Sequence, residues 1–344
     1  MRIVAVVVTR DRPLLLQQVL AALQAQHRPP EHIVVVDNGS GPETGAVLAR
    51  FSGAPGGVEV LRPAGNLGGA GGFALGMRQA LAGGCDWIWV LDDDAVPRPD
   101  ALAQLTRALE APAAGPLGYP GAVAPAVIEF GALALAHRRR YSLVSGIERV
   151  VAPALYRRAV VPVDTASFVG LLVSAQAARA CGLPDAALFL SYDDTDYCLR
   201  LRRAGWALWL VPGSVIDHLR LPGNRLRAGP IGARHYYNLR NRVVVARRHA
   251  RLPALAAGVA TLTGLGLWLG CRGRFRNGAW RIVRQALADG WANRLGAFPG
   301  TLAGRVPDGV PEPEAGRERL VKEGLVKDGL VKDGLVKDDW RRTP

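Results

Sequence analysis

Up to about residue 110, apolar and polar positions alternate between two rhythms. Ile3–Val8, Ile33–Val36, Val58–Leu61 and Trp87–Leu91 are short β-branched or aromatic runs bounded by turn residues, a pattern that predicts strands. Between them, Pro13–Gln26, Glu43–Phe51, Ala70–Ala82 and then Pro99–Glu110 place apolar residues at helical spacing, with proline near the start of the first and last. Strand–helix–strand units with short connections predict right-handed crossovers and a mostly parallel, Rossmann-like α/β sheet. Ligands of such sheets sit beyond the carboxyl ends of the strands. Thr9–Arg12, Asp37–Ser40 and Asp92–Asp94 all fall there.

From about residue 111 the rhythm becomes irregular, and a second recognisable unit spans Ser167–His218. Thr165–Ala175 reads as an apolar strand, Gly182-Leu183-Pro184 as a turn and Tyr192–Ala204 as an acidic-to-basic helix. Leu208–Val211 then reads as a strand leading to Asp217-His218. Residues 252–271 carry no charged side chain and are flanked by Arg251 and Arg272. That length permits a membrane span, an interfacial segment or a buried hairpin, and several glycines and Pro253 weaken the first. From Leu320 to Asp338 the Gly-Leu-Val-Lys-Asp repeat matches neither helical nor strand facing, which predicts a disordered tail. The expected organisation is a first α/β half over 1–110, a second half of the same domain over 111–230, a basic helical region over 231–310 and a tail over 311–344.

With 344 residues and a formal net charge of +14, the chain calls for an anionic partner. Arginine clusters at 138–140, 157–158, 202–203, 247–248 and 272–276 lie mostly in the second half. No zinc-finger spacing or aromatic-plus-basic strand accompanies them, so nucleic acid is the weaker choice. Cys85, Cys181, Cys198 and Cys271 lack CxxC spacing, which argues against a disulfide framework or structural zinc. The apolar stretch Ile3–Val8 is too short for a signal peptide, and a cytosolic catalytic part is expected.

The strongest chemical signal is Trp87-Ile88-Trp89-Val90-Leu91-Asp92-Asp93-Asp94, an apolar strand ending in consecutive carboxylates. Like charges this close repel and need a positive offset. A hard divalent cation, Mg²⁺ or Mn²⁺, shared with substrate phosphates supplies one. Side chains alternate along an extended chain, so Asp92 and Asp94 form the candidate ligand pair and Asp93 points elsewhere, toward the sugar. The glycine-rich Gly65–Gly72 contains Gly69-x-Gly71-x-x-Ala74, a weak match to a dinucleotide fingerprint; its glycines suit close approach of backbone to a ligand. Asp37 can accept from a base imide or a ribose hydroxyl. Tyr192-Asp193-Asp194-Thr195-Asp196-Tyr197 supplies a second carboxylate cluster, suited either to a helix start or to deprotonating an acceptor.

These residues resemble an inverting nucleotide-sugar glycosyltransferase of family 2 with the GT-A fold, over roughly residues 2–245. The resemblance rests on Val7–Arg10, Val35–Ser40, Asn66–Phe73, Trp87–Asp94, Phe168-Val169-Gly170 and Phe189–His218. Within that family, Asn66–Met77 followed by Trp-x-Trp and the triple Asp is similar to actinobacterial galactofuranosyltransferases and to neighbouring rhamnosyltransferases. The resemblance implies that Thr9, Arg10 and Asp37 contact base and ribose, with Asn66 and Gly68 near the nucleotide. It implies Asp92, Asp94 and His218 as metal ligands, and one of Asp193 and Asp194 as the base. It implies Phe168, Gly170 and Tyr192 at the acceptor, and it makes His235–Asn241 the opening of C-terminal membrane-proximal helices.

The implied reaction moves a sugar, galactofuranose favoured over rhamnose, from UDP-galactofuranose or dTDP-rhamnose to a polyprenyl-diphosphate-linked glycan. It would take place at the cytoplasmic face of the plasma membrane, against an anionic lipid surface. Two readings of other classes are an NAD(P)-dependent oxidoreductase and a non-catalytic nucleotide-binding scaffold at the membrane. The first leaves the triple Asp unexplained, and the second needs neither Asp193-Asp194 nor His218.

Overall fold

The computed structural model describes residues 1–53, 57–110, 118–220, 226, 231–271 and 278–298. The repeat tail and the arginine-rich 272–276 segment lie outside the described residues, as does at least one side of each of the three expected domain boundaries.

The N-terminal strands are β1 (Ile3–Thr9), β2 (His32–Asp37), β3 (Val58–Leu61) and β4 (Trp87–Asp92), joined by α1 (Pro13–Gln24), α2 (Pro42–Ser52) and α3 (Gly68–Ala82). β1 pairs in parallel with both β2 and β4, and β2 in parallel with β3, as the alternating rhythm predicts. The chain continues through β5 (Ala95–Pro97), α4 (Ala101–Glu110), β6 (Pro120–Glu129), β7 (Ala132–Leu133), β8 (Arg138–Tyr141) and β9 (Glu148–Val150). Then come β10 (Val161–Val163), β11 (Thr165–Ala166), β12 (Leu171–Ser174), α5 (Ala175–Cys181), α6 (Asp193–Arg203) and β13 (Ala207–His218).

One sheet runs β10-β13-β6-β12-β4-β1-β2-β3, so the two expected halves share it. Its second half is mixed: β12 is antiparallel to both β4 and β6, whereas β13 runs parallel to β6. β11, β8 and β9 form a small separate sheet. The strand expected over 165–175 is thus two strands, broken where Gly170 takes φ +77 beneath Ile216 and Pro125. β13 extends well beyond the expected Leu208–Val211 because a bulge between Val211 and Val215 absorbs Pro212.

Side chains of β1 and β4 alternate between the two faces of the sheet, and each face has its own core. Val4, Val6, Ile88 and Val90 pack under α3, α5 and α6 with Phe73, Met77 and Tyr197. Ile3, Ala5, Trp87 and Trp89 pack under α1, α2 and α4 with Leu16, Leu20, Leu48 and Leu105. Trp89 is fully buried, and its indole N–H donates to the Gly170 carbonyl at 3.0 Å. Such burial on both faces is why β4 reads as a continuous apolar run.

The C-terminal helices are α7 (Ala233–His249), α8 (Pro253–Leu269) and α9 (Ala279–Trp291). α8 buries a stripe of small residues, Ala256, Ala257, Ala260 and Gly264, and leaves Leu255, Leu262 and Leu269 exposed. A Cβ on Gly264 would come within 2.7 Å of Leu239 on α7, which shows how closely the two helices meet. Among the described residues, no helix is long and apolar enough to cross a membrane. At 17 residues α8 spans about 26 Å, against the roughly 30 Å of a hydrocarbon layer.

Candidate active site

The carboxyl ends of β1, β2 and β4 converge on the three aspartates that follow β4. Asp93 turns toward β1: it accepts from the Thr9 hydroxyl at 2.8 Å, the Arg10 amide at 3.3 Å and the Arg12 guanidinium at 2.9 Å. Asp94 turns the other way, with Oδ1 3.0 Å from His218 Nε2 and Oδ2 accepting from Arg12 at 2.9 Å. Asp93 and Asp94 lie in a turn beyond the end of β4 rather than in extended chain, and Asp93 is held by Thr9, Arg10 and Arg12 instead of being left free toward a sugar. Arg12 bridges Asp93 and Asp94 from the start of α1; sequence reasoning placed it at the rim without assigning it a part.

Asp92, Asp94 and His218 bring one ligand atom each to within 4.8 Å of one another. Burial and then the Asp94 charge push Asp92 up to about 7. For Asp93 it is again burial that raises the carboxyl, to about 6, with Arg12 opposing. Asp94 goes the other way: against the push of burial, its hydrogen bonds from His218 and Arg12 hold it at about 2.

His218 is the end of a chain of hydrogen bonds. Its Nδ1 lies 2.8 Å from Glu129 Oε1, the same oxygen lies 3.0 Å from His137 Nε2, and His137 Nδ1 lies 2.8 Å from the Ser167 hydroxyl. Burial drives His137 down to about 4, so it is neutral and donates from Nε2. Burial opposes protonation of His218 as well, yet Asp94 and Glu129 outweigh it and raise His218 to about 10. Glu129 and His137 escaped sequence reasoning because they lie 89 and 81 positions from His218, with no local spacing to mark them.

The donor set fits a divalent cation. With Nδ1–H committed to Glu129, the Nε2 lone pair faces a carboxylate oxygen at 3.0 Å, and only a proton or a cation between them is favourable. Asp92, Asp93, Asp94 and Glu129 together outweigh the positive charge of Arg12 and His218, so the cluster has a negative excess. Two carboxylates and one imidazole suit Mn²⁺ or Mg²⁺.

Asp37 accepts from the Ser40 amide at 2.9 Å and pairs with Arg62 at 3.4 Å. Asn66 caps the turn by accepting from the Gly68 amide, and Asn38, unassigned from sequence, holds the Gly68 carbonyl at 2.9 Å. Gly68 has φ +69, and a Cβ there would stand 2.1 Å from the Phe189 carbonyl oxygen. Gly76 lies against Val6, where a Cβ would meet Cγ1 at 2.3 Å. Much of this glycine content therefore serves the protein's own close packing.

Asp193 and Asp194 open α6. Burial, then Asp194, then Asp92 among the farther charges raise Asp193 well above its ordinary value. Asp194 is also raised by burial, but Arg139 opposes the shift and its Oδ1 accepts from the Thr195 amide at 2.6 Å. The pair thus divides: Asp193 feels the triple Asp, while Asp194 feels the small sheet. Tyr192 is buried beside them with Arg242 over its ring, and Gly170 lies beneath Ile216. Phe168, expected at the acceptor, is instead a buried core residue, 4.8 Å from the Phe73 ring and 6.0 Å from that of Tyr197.

Residues 2–242 match the family described as glycosyltransferase like family 2. The chain belongs to that family. This family 2 member is 38% identical over 203 residues to galactofuranosyltransferase GlfT1 of Mycobacterium tuberculosis strain H37Rv, covering 58% of this chain and 64% of the relative. GlfT1 of Mycolicibacterium smegmatis is 36% identical over 215 residues, covering 58% and 65%. The chain therefore spans about two thirds of the length of these curated relatives, slightly less in each case. The solved mannosyltransferase PcManGT of Pyrobaculum calidifontis, in complex with GDP-Man and Mn²⁺, superimposes with a TM-score of 0.52 at 17% identity, covering 88% of this chain and 77% of that one. That likeness establishes a GT-A-like α/β fold for the family 2 member.

Proposed function

We propose that this chain is an inverting, metal-dependent glycosyltransferase that moves a sugar from a nucleoside diphosphate donor to a cell-envelope glycan. The observation that carries the reading is the convergence of Asp92, Asp94 and His218 on one point, with a buried, high-pKa Asp193 within their electrostatic reach. The likeness to GlfT1 favours galactofuranose, and UDP-galactofuranose is the donor we assign; dTDP-rhamnose is the alternative donor from the rhamnosyl side of the family.

In this reading Asp92, Asp94 and His218 hold Mg²⁺ or Mn²⁺, with Thr9, Arg10, Asp37 and Asn66 on the nucleotide side. A cation held there would supply positive charge to the departing diphosphate and would favour the ionised form of the nearby Asp193. Asp193 accepts the proton of the acceptor hydroxyl as that oxygen bonds to the anomeric carbon and the nucleoside diphosphate leaves from the opposite face. One Arg12 guanidinium nitrogen bridges Asp93 Oδ1 and Asp94 Oδ2, which holds the two carboxylates together and leaves Asp94 Oδ1 turned toward His218.

The acceptor we propose is lipid-linked, a polyprenyl-diphosphate saccharide, at the cytoplasmic face of the plasma membrane. Support comes from exposed Leu252, Leu255, Leu262, Leu269, Trp280 and Trp291 on and around the C-terminal helices, beside the basic run Arg247-Arg248 and Arg251. Apolar side chains flanked by arginines suit an anionic lipid surface. Incubation of the full chain with a nucleotide-sugar panel, Mn²⁺ and a synthetic polyprenyl-diphosphate disaccharide tests the reading. Transfer from UDP-galactofuranose that stops on chelation is expected; no transfer from any nucleotide sugar would contradict it.

A further inference from the structure

The segment leading into α6 is the most strained stretch of the described backbone. Phe189, Ser191 and Tyr192 have φ of +65, +65 and +67, in the left-handed region that bulky L-residues rarely adopt. Strain of this kind persists only where the surroundings over-determine the conformation, and it gathers at functional sites. Here it ends at Asp193.

What holds the segment comes from α7. The Asn241 side-chain amide sits among three carbonyl oxygens, those of Leu188, Leu190 and Ser191, at 2.9, 2.9 and 2.8 Å. Its own oxygen accepts from Arg240 Nε at 2.8 Å, which fixes which way the amide points. Arg240 spends its other nitrogens on carbonyls, that of Leu188 at 2.8 Å and that of Gly296 at 2.6 Å. Both side chains are essentially fully buried, and the guanidinium lies 5.3 and 5.2 Å from the Tyr236 and Tyr237 ring centres. On the opposite side, the Ala70 amide at the start of α3 donates to the Phe189 carbonyl at 3.1 Å. Burying a guanidinium is costly unless its donors are used. Arg240 reaches the loop directly at Leu188 and indirectly by orienting Asn241, which makes three more bonds to it.

We propose that Arg240 and Asn241 are positioning residues for the base: they clamp residues 188–191 in the strained form that aims Asp193 at the cation site. This rests on the reading of Asp193 as base. It gives the His235–Asn241 segment a role in the reaction beyond opening the C-terminal helices. Neither side chain touches substrate; both act through the backbone that precedes Asp193.

The test uses Asn241→Ala and Arg240→Lys in the full chain, with Asp193→Asn as control. Expected for Asn241→Ala is a kcat at least tenfold lower, with the KM for UDP-galactofuranose and the Mn²⁺–UDP thermal shift within about twofold of wild type. The acid limb of the kcat–pH profile should also move to lower pH, because a loosened Asp193 becomes hydrated. Introducing Ser191→Gly into Asn241→Ala should recover several-fold of the loss, since glycine takes that φ without strain. A purely structural role would lower kcat and UDP binding together and leave the pH profile in place. That outcome, or unchanged kcat in both variants, overturns the proposal.

If Asn241→Ala does not fold, Arg240→Lys carries the same measurements. If no donor turns over in wild type, amide hydrogen exchange decides. Faster exchange confined to residues 188–196 of the variant is expected, and unchanged exchange there overturns the clamp. An active Asp193→Asn would refute the base assignment by itself, whereas an inactive Asp193→Asn beside a fully active Asn241→Ala would refute only the clamp.

Discussion

His218 Nε2 lies 3.0 Å from Asp94 Oδ1. With Nδ1 committed to Glu129, that contact is favourable only while a positive charge sits in it, and this makes the pair the most sensitive gauge of the cation site.

Removing either partner should abolish the gauge. Asp94→Asn or His218→Gln is expected to weaken Mn²⁺ binding beyond detection at millimolar metal, by calorimetry or by the spin resonance of free Mn²⁺. Glu129→Gln keeps the ligands but loosens the imidazole, and outer-shell partners of this kind are worth about 10- to 100-fold in affinity. Unchanged Mn²⁺ affinity in Glu129→Gln would show that the hydrogen-bond chain to His137 and Ser167 does not reach the ion.

Stability of the metal-free protein should fall with rising pH across the neutral range. His218 is raised from 6.5 to about 10 in the fold, so its contribution is fully present below about pH 6.5 and is lost as pH climbs through about 10. Asp92, raised from 3.8 to about 7, acts in the same direction at lower pH, because ionising it in the fold is unfavourable. Thermal melts at pH 6 to 10 are expected to show a wild-type Tm that declines more steeply than that of His218→Gln, with excess Mn²⁺ restoring much of the loss. A wild-type Tm rising more steeply than the variant's would contradict the assignment.

Asp193 and Asp194 should separate on substitution. Asp193→Asn is expected to lose about 100- to 10,000-fold in turnover while keeping the Mn²⁺–UDP thermal shift, as for a base removed from an intact site. Asp194→Asn leaves the Arg139 charge less compensated and should show its effect first as a lower Tm. Equal turnover losses with equal Tm losses in both variants would argue that the pair is a structural unit.

Gly68→Ala should destabilise the chain and disturb the loop before Asp193 together. A methyl group there meets the Phe189 carbonyl at 2.1 Å in a backbone conformation that already disfavours a side chain. Overpacking of this kind costs about 1–3 kcal/mol, or several degrees of Tm. A variant with wild-type Tm would show that Phe189 can move away freely.

The four N-terminal strands and their helices are legible because each strand is short, apolar and closed by turn residues, and because β4 is buried on both faces. The middle of the chain is not. Pro120 and Pro125 lie within β6, Gly170 breaks what reads as one strand, and Arg138–Arg140, read from sequence only as an arginine cluster, belong to β8. Arg138 is in fact fully buried, satisfied by the carbonyls of Pro125, His137 and Val169. Asp92, Asp94 and His218 are found from sequence because three carboxylates ending an apolar strand have few structural explanations and the family resemblance adds the histidine. Arg12, Glu129, His137, Arg240 and Asn241 are each ordinary in their local context. Their meaning comes only from partners that folding brings to them across the chain.

The central claim is that the ends of β4 and β13 grip a diphosphate through a divalent cation. Anomalous diffraction from a crystal grown with Mn²⁺ and UDP tests it most directly. A manganese peak bounded by Asp92, Asp94 and His218, with the diphosphate on its open side, is the expected result. A map with UDP bound and no anomalous peak at those three side chains would contradict it.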